Sequence, residues 1–71
     1  MTALEFNYTL KEMSGSLKPF ALKLTRDMED ANDLIQETML KAFKNREKFA
    51  PGTNIKAWLY TIMKNTFITN Y

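Results

Sequence analysis

The chain has 71 residues, a net charge of +2, no cysteine and no histidine. That length allows one small domain, and the 45% of hydrophobic residues with only two glycines and two prolines predict a folded chain. Without Cys or His, disulfides, thiolate metal sites and the commonest general base are excluded, so we predict a protein that is not an enzyme and needs no cofactor or metal. No stretch approaches the ~18 to 20 apolar residues of a membrane span and no cleavable leader opens the sequence, which predicts a cytoplasmic protein.

The charges are unevenly divided along the chain. Residues 1–37 hold seven acidic and four basic residues, whereas residues 38–71 hold one acidic and six basic residues. Such asymmetry indicates two partners of opposite charge, one of which could be a phosphate backbone. Solubility alone is the alternative explanation.

Helix signals predict an all-α bundle of three to four helices. The first helix is expected over about residues 4–13, with its apolar stripe formed by Leu4, Phe6, Tyr8, Leu10 and Met13. A break is expected at residues 14–16, where serines flank Gly15. Ser16 would then cap a second helix that places Pro19 in its first turn.

A long helix is predicted from the N-cap Asp27 to about Lys48, because its apolar residues recur at helical spacing and no Gly or Pro interrupts it. Residues 49–54 should form a loop with a type II turn, and Thr53 or Asn54 should cap the last helix. That helix would start near Ile55. Its buried side is expected to consist of Ala57, Trp58, Leu59, Ile62, Met63, Thr66 and Phe67. The end of the chain carries no stop signal, which predicts a fragment of a longer protein or a trimmed single domain over residues 1–71.

The long helix carries a polar group of side chains that share one surface. Asp33, Gln36 and Glu37 are spaced i, i+3 and i+4. They could form a solvated face, a docking face for a protein partner, or a catalytic carboxylate pair. The last interpretation is weak, because exposed carboxylates have no apolar pocket to separate their pKa values.

The last helix and the loop before it carry features that suit nucleic acid. Lys56, Tyr60 and Lys64 are spaced by four, and Phe67 and Tyr71 continue the row. Cations and aromatic rings in alternation suit a single strand, since phosphates need positive charge and unpaired bases need a flat surface. An ordinary amphipathic helix is the alternative. Around the loop, amides and hydroxyls could read base edges or simply serve as caps and turns, and the residues concerned are Asn45, Phe49, Thr53 and Asn54.

Together these residues resemble a known family. The run at 30–37 (DANDLIQE), the LKAF at 40–43, Phe49, and the pattern at 57–66 (AWLYTIMKNT) are similar to conserved region two of bacterial sigma-70 factors, most closely the extracytoplasmic function (ECF) type. The similarity covers essentially the whole chain. It implies a sigma region 2 fold for residues 1–71, without the second helical domain that reads the minus-thirty-five element.

The resemblance also implies partners for each surface. Asp33, Gln36, Glu37 and the neighbouring Leu40 would contact the clamp coiled coil of the largest RNA polymerase subunit. The loop would hold a base flipped out of the single-stranded, non-template minus-ten element, in a pocket built from Asn45, Phe49, Pro51, Gly52, Thr53, Asn54 and Asn65. Lys56, Tyr60 and Lys64 would bind the same strand, and Trp58 would belong mainly to the core. An anti-sigma factor is a further partner class that the resemblance allows.

We therefore predict a sigma domain that stabilises melted promoter DNA during transcription initiation. The alternatives are a non-catalytic helical protein-interaction module, which would ignore DNA, and a helix-turn-helix protein, which would prefer duplex DNA.

Overall fold

The computed structural model describes residues 2–50 and 52–70. In these residues the chain forms three α-helices, α1 (Ala3–Thr25), α2 (Met28–Lys44) and α3 (Ile55–Asn70), with a short 3-10 helix (Arg46–Lys48) between α2 and α3. The central helix α2 packs against both α1 and α3, and the described residues contain no strand. The all-α prediction is confirmed. No helix among the described residues is both long enough and apolar enough to cross a membrane.

The predicted break at residues 14–16 is wrong, because α1 runs through it without interruption. The hydroxyls of Ser14 and Ser16 donate to the carbonyls of Lys11 and Met13, so they are satisfied inside the helix. Gly and Pro lower helix stability by about 1 and 3 kcal/mol relative to Ala. Burial of the apolar face of α1 outweighs this penalty, and that face consists of Phe6, Leu10, Leu17 and Ala21.

Side-chain caps fix where the helices begin. The Thr2 hydroxyl accepts a hydrogen bond from the Glu5 amide of α1 at 3.1 Å. Asp27 caps α2 as predicted, its carboxylate accepting from the Asp30 amide at 2.9 Å. Asn54 plays the same role for α3, since its side-chain oxygen accepts from the amide of Lys56 at 3.0 Å.

The predicted end of the long helix at Lys48 is four residues too late. The Asn45 side-chain amide donates to the Lys41 carbonyl at 2.8 Å, and an Arg46 guanidinium N–H donates to the Phe43 carbonyl at 2.8 Å. The Arg46 bond satisfies a carbonyl of the last turn of α2, and the Asn45 side chain is a second donor to the Lys41 carbonyl, which also accepts from the Asn45 backbone amide. The chain then continues as the 3-10 helix.

The core lies where α2 meets the other two helices. Leu17, Leu34, Leu59 and Met63 are fully buried, together with the hydroxyl-bearing Thr38 and Thr66. Three expectations about burial are wrong: Leu4 and Tyr8 are 79% and 65% exposed, and Ala57 is exposed. Each of these positions lies two residues from the buried Phe6, Leu10 or Leu59, about 200° around the helix, so its side chain lies on the opposite face.

Candidate functional site

The first candidate surface is the outer face of α2, which we call the acidic face and define by Asp33, Gln36, Glu37 and Leu40. Asp33, Gln36 and Leu40 are exposed and Glu37 is half-buried. The buried residues Leu34 and Thr38 lie on the other side of the helix. The exposed side chains of Asp33, Gln36 and Leu40 can therefore contact a second protein, while Leu34 and Thr38 anchor the helix in the core.

An apolar groove adjoins the acidic face. It has a volume of about 570 Å³ and runs between α1 and α2, with Gln36 and Leu40 in its lining beside Leu10, Met39 and Phe43. Leu40 is 55% exposed, so its side chain adds accessible apolar area beside the groove. The acidic face therefore combines polar groups that orient a partner with apolar area that can be buried against it.

The second candidate surface surrounds the loop before α3. A groove of about 580 Å³, which we call the loop groove, lies between the start of α1 and residues 46–55. Its described lining consists of Ala3, Phe6, Thr9, Arg46, Glu47, Phe49, Gly52, Thr53 and Ile55. Phe49, Gly52 and Thr53 of the predicted base pocket line this groove. The predicted Pro51 lies outside the described residues.

Aromatic rings form one side of the loop groove. The rings of Phe6 and Phe49 lie 6.1 Å apart, and Trp58 packs against both, with centroids 5.9 Å from Phe6 and 5.2 Å from Phe49. Trp58 is half-buried in this cluster, in agreement with its predicted place in the core. The cluster ties the loop to α1 and α3 at once, so the loop groove has a rigid aromatic wall.

Hydrogen bonds hold the tip of the loop. The Thr53 amide and hydroxyl both donate to the Ala50 carbonyl, at 3.2 and 2.6 Å. Gly52 has φ of +90°, as the third residue of a type II turn requires, and the position of its missing Cβ is open to solvent. The backbone at Gly52 is therefore accessible to a ligand without a side chain in the way.

The predicted amides divide between caps and open surface. Asn45 and Asn54 both make capping hydrogen bonds, at the end of α2 and the start of α3. Asn65 is exposed on α3, and at 1.5 Å per residue it lies about 15 Å along the helix from Ile55. Of the described residues, these three amides do not line the loop groove. One strand of several nucleotides would be needed to contact both Asn65 and the loop.

The third candidate surface is the basic stripe, defined by Lys56, Tyr60 and Lys64 on α3. The Lys56 ammonium lies 5.7 Å from the centroid of the Tyr60 ring, and Lys64 is exposed. Tyr60 itself stacks on Phe20 of α1, with centroids 4.5 Å apart and planes inclined by 22°. That face of the Tyr60 ring is already occupied, which leaves its edge and its other face to solvent or to Lys56. Phe67, expected further along this row, is half-buried against the core, and Tyr71 lies outside the described residues.

Comparison with known families decides the identity of the fold. The family model described as Sigma-70 region 2 matches residues 10–71. The chain belongs to the sigma-70 region 2 family. The match includes the acidic face and the part of the loop groove within residues 46–55, whereas the groove residues Ala3, Phe6 and Thr9 precede it.

Curated relatives support the same assignment. This sigma-70 region 2 chain is 46% identical over 56 residues to the ECF RNA polymerase sigma factor EcfG of Rhodopseudomonas palustris, covering 79% of the chain and 31% of that protein. It is 43% identical over 47 residues to SigG of Mycobacterium tuberculosis, another ECF RNA polymerase sigma factor, covering 66% of the chain and 13% of that protein. It is 38% identical over 52 residues to the RNA polymerase sigma factor YlaC of Bacillus subtilis, covering 73% of the chain and 30% of that protein. The chain thus spans less than a third of the length of each relative.

Sequence reasoning missed six of the described residues that line the loop groove, among them Phe6 and Arg46. Phe6 lies more than 40 positions before the loop, and only the packing of α1 against α3 reveals its contact with Phe49. Arg46 lies within a run of charged residues that gives no reason to separate it from its neighbours Lys44 and Lys48.

Proposed function

We propose that this chain is the promoter-opening domain of an ECF-type sigma factor. The acidic face docks on the clamp coiled coil of the largest RNA polymerase subunit. The loop groove and the basic stripe bind the single-stranded, non-template minus-ten element of the promoter. The domain performs no covalent chemistry.

The observation that carries the proposal is the pairing of an aromatic-walled groove with a basic helix. The loop groove offers Phe49 and an open backbone at Gly52, which suit an unpaired base. Lys56 and Lys64 offer cations along the neighbouring helix, which suit phosphates. Duplex DNA presents its bases only at their edges, so this combination favours a melted strand.

Differential binding explains how such a domain would help to open a promoter. Each base-pair step that opens loses about 1.4 kcal/mol of stacking. One base stacked on an aromatic side chain returns about 1 to 3 kcal/mol. A few captured nucleotides therefore balance a few opened steps, and the closed duplex gains none of this free energy. Binding to polymerase supplies the remainder by holding the domain beside the DNA.

Polymerase docking is tested by Glu37→Lys, which reverses a charge at the centre of the acidic face. We expect the variant to lose binding to RNA polymerase core while it remains folded, as judged by helicity and a cooperative melting transition. Glu12→Lys is the matched control, because Glu12 is an exposed acid on α1 outside the acidic face. Normal polymerase binding by a folded Glu37→Lys and Gln36→Ala double variant would contradict the docking assignment.

Strand capture is tested with the chain assembled on RNA polymerase core. Single-stranded non-template oligonucleotides should bind more tightly than their duplexes. Replacing Lys56 or Lys64 by Ala should weaken all strands alike and make the salt dependence shallower. Replacing Asn65 by Ala, or exchanging Thr53 and Asn54, should change the preferred minus-ten sequence and leave the salt slope nearly unchanged. A preference for duplex DNA would favour a helix-turn-helix mode instead, and indifference to DNA would favour a protein-interaction module.

A further inference from the structure

Arg46 lines the loop groove and is held in place by two contacts with Phe43. Arg46 is half-buried, and its guanidinium lies over the Phe43 ring, 4.3 Å from the centroid. One of its N–H groups donates to the Phe43 carbonyl at 2.8 Å. A guanidinium has five N–H donors, and the hydrogen bond to the Phe43 carbonyl uses one of them, so the group can also donate to a ligand.

The surroundings of Arg46 select the kind of ligand. The same groove is lined by the half-buried Phe49, whose ring suits a base and is backed by the buried Phe6, and by the open backbone at Gly52. A fixed guanidinium matches the geometry of a phosphate better than a mobile ammonium does. A cation and an aromatic wall in one groove are the two features that a nucleotide requires.

We propose that Arg46 binds a phosphate of the captured strand at the loop groove, and that Glu47 beside it weakens this contact. Glu47 lines the same groove and is exposed, so its carboxylate repels an approaching phosphate. The proposal rests on the function proposed above and adds a residue to it. Arg46 positions the backbone of the strand so that the adjoining base reaches the aromatic wall.

Three substitutions within the 3-10 helix provide the test. Arg46→Gln and Lys48→Gln remove one positive charge each, but Lys48 is exposed and lies outside the described lining of the loop groove. Glu47→Gln removes the negative charge between them. Each variant would be assembled with RNA polymerase core. Binding to labelled oligo(dT) and to a mixed-sequence strand, each of about 12 nucleotides, would be measured across a salt series and corrected for core alone.

Arg46→Gln should weaken both strands about tenfold, the factor expected for one charge-assisted contact. The slope of log affinity against log salt should become shallower by about 0.7. Lys48→Gln should change affinity less than twofold, and Glu47→Gln should tighten both strands. Melting temperatures would be recorded for all variants, because a purely structural Arg46 would lower melting without changing the salt slope.

Other results would overturn the proposal in distinguishable ways. Equal weakening by Arg46→Gln and Lys48→Gln would mean that net charge alone accounts for the effect. Lowered melting with an unchanged salt slope would mean that Arg46 only caps α2. If Lys56 and Lys64 could also be replaced without effect on strand binding, the proposed function itself would fail. If those two lysines matter and Arg46 does not, only this inference fails.

Discussion

Replacing Thr66 by valine should stabilise the chain, because Thr66 buries a hydroxyl that lacks a partner. Its side chain is 1% exposed, and its Oγ1 makes no hydrogen bond in the part of the chain that the structure describes. A buried polar group without a partner costs about 1 to 3 kcal/mol. Valine has nearly the same shape, so the substitution removes this cost without opening a cavity. We expect the free energy of unfolding to rise by about 1 kcal/mol or more.

Thr38→Val is the matched control. Thr38 is equally buried, but its hydroxyl donates to the Leu34 carbonyl at 2.7 Å. Loss of that bond should destabilise the chain by about 0.5 to 1.5 kcal/mol. Urea and thermal unfolding followed by circular dichroism would separate the two variants, since 1 kcal/mol moves the melting temperature by about 4 to 8 °C in a domain of this size. Equal destabilisation by both substitutions would refute the reasoning, because the Thr66 hydroxyl would then be bonded in solution.

The same unfolding assays check three further expectations. Trp58→Ala should lower the free energy of unfolding by about 3 to 5 kcal/mol, whereas Trp58→Phe should lower it by much less. A folded, stable Trp58→Ala chain that fails to bind DNA would instead place Trp58 on the DNA-binding surface. Gly15→Ala should stabilise α1 by about 0.8 to 1 kcal/mol, because the position is exposed and open; Gly52→Ala should instead destabilise the loop, since its φ of +90° disfavours a side chain. Arg26→Gly should raise the urea midpoint by relieving a left-handed residue with φ of 58° at the end of α1, a strain of about 1 to 2 kcal/mol; an unchanged midpoint would mean that the end of α1 relaxes in solution.

Helical periodicity was sufficient to predict where α2 and α3 begin, and insufficient for the end of α2 and for the continuity of α1. The apolar residues of α2 recur at helical spacing with no Gly or Pro between them, and Asp27 before the helix is a residue type that is typical of an N-cap. In α1, Gly15 and Pro19 gave a local signal for a break, but the signal contains no information about what the helix packs against. Leu10 and Leu17, on either side of Gly15, are both buried, and a break would have misaligned them. Burial of the apolar face against the rest of the fold therefore keeps α1 continuous despite Gly15 and Pro19.

The candidate surfaces also differ in how far local sequence patterns can predict them. The acidic face lies on one helix, so the spacing of Asp33, Gln36 and Glu37 alone predicts that they share a surface. The loop groove is assembled from α1, the 3-10 helix and the loop, so no local pattern could join Phe6 to Phe49 or select Arg46. The sequence predicted Asn65 and the loop as parts of one pocket, whereas the rise of α3 separates them by about 15 Å.

The acidic face and the loop groove should respond differently to substitution. The acidic face has Asp33, Gln36 and Leu40 exposed on the outside of α2, so changes there can alter binding without altering the fold. The loop groove shares Phe6 and Phe49 with the aromatic cluster around Trp58, so changes there alter stability and strand binding together. Arg46 lies between these cases, since it caps α2 through Phe43 and also faces the groove. The salt dependence of binding separates its two roles, because hydrogen bonding to a backbone carbonyl releases no counterions from DNA and phosphate contact does.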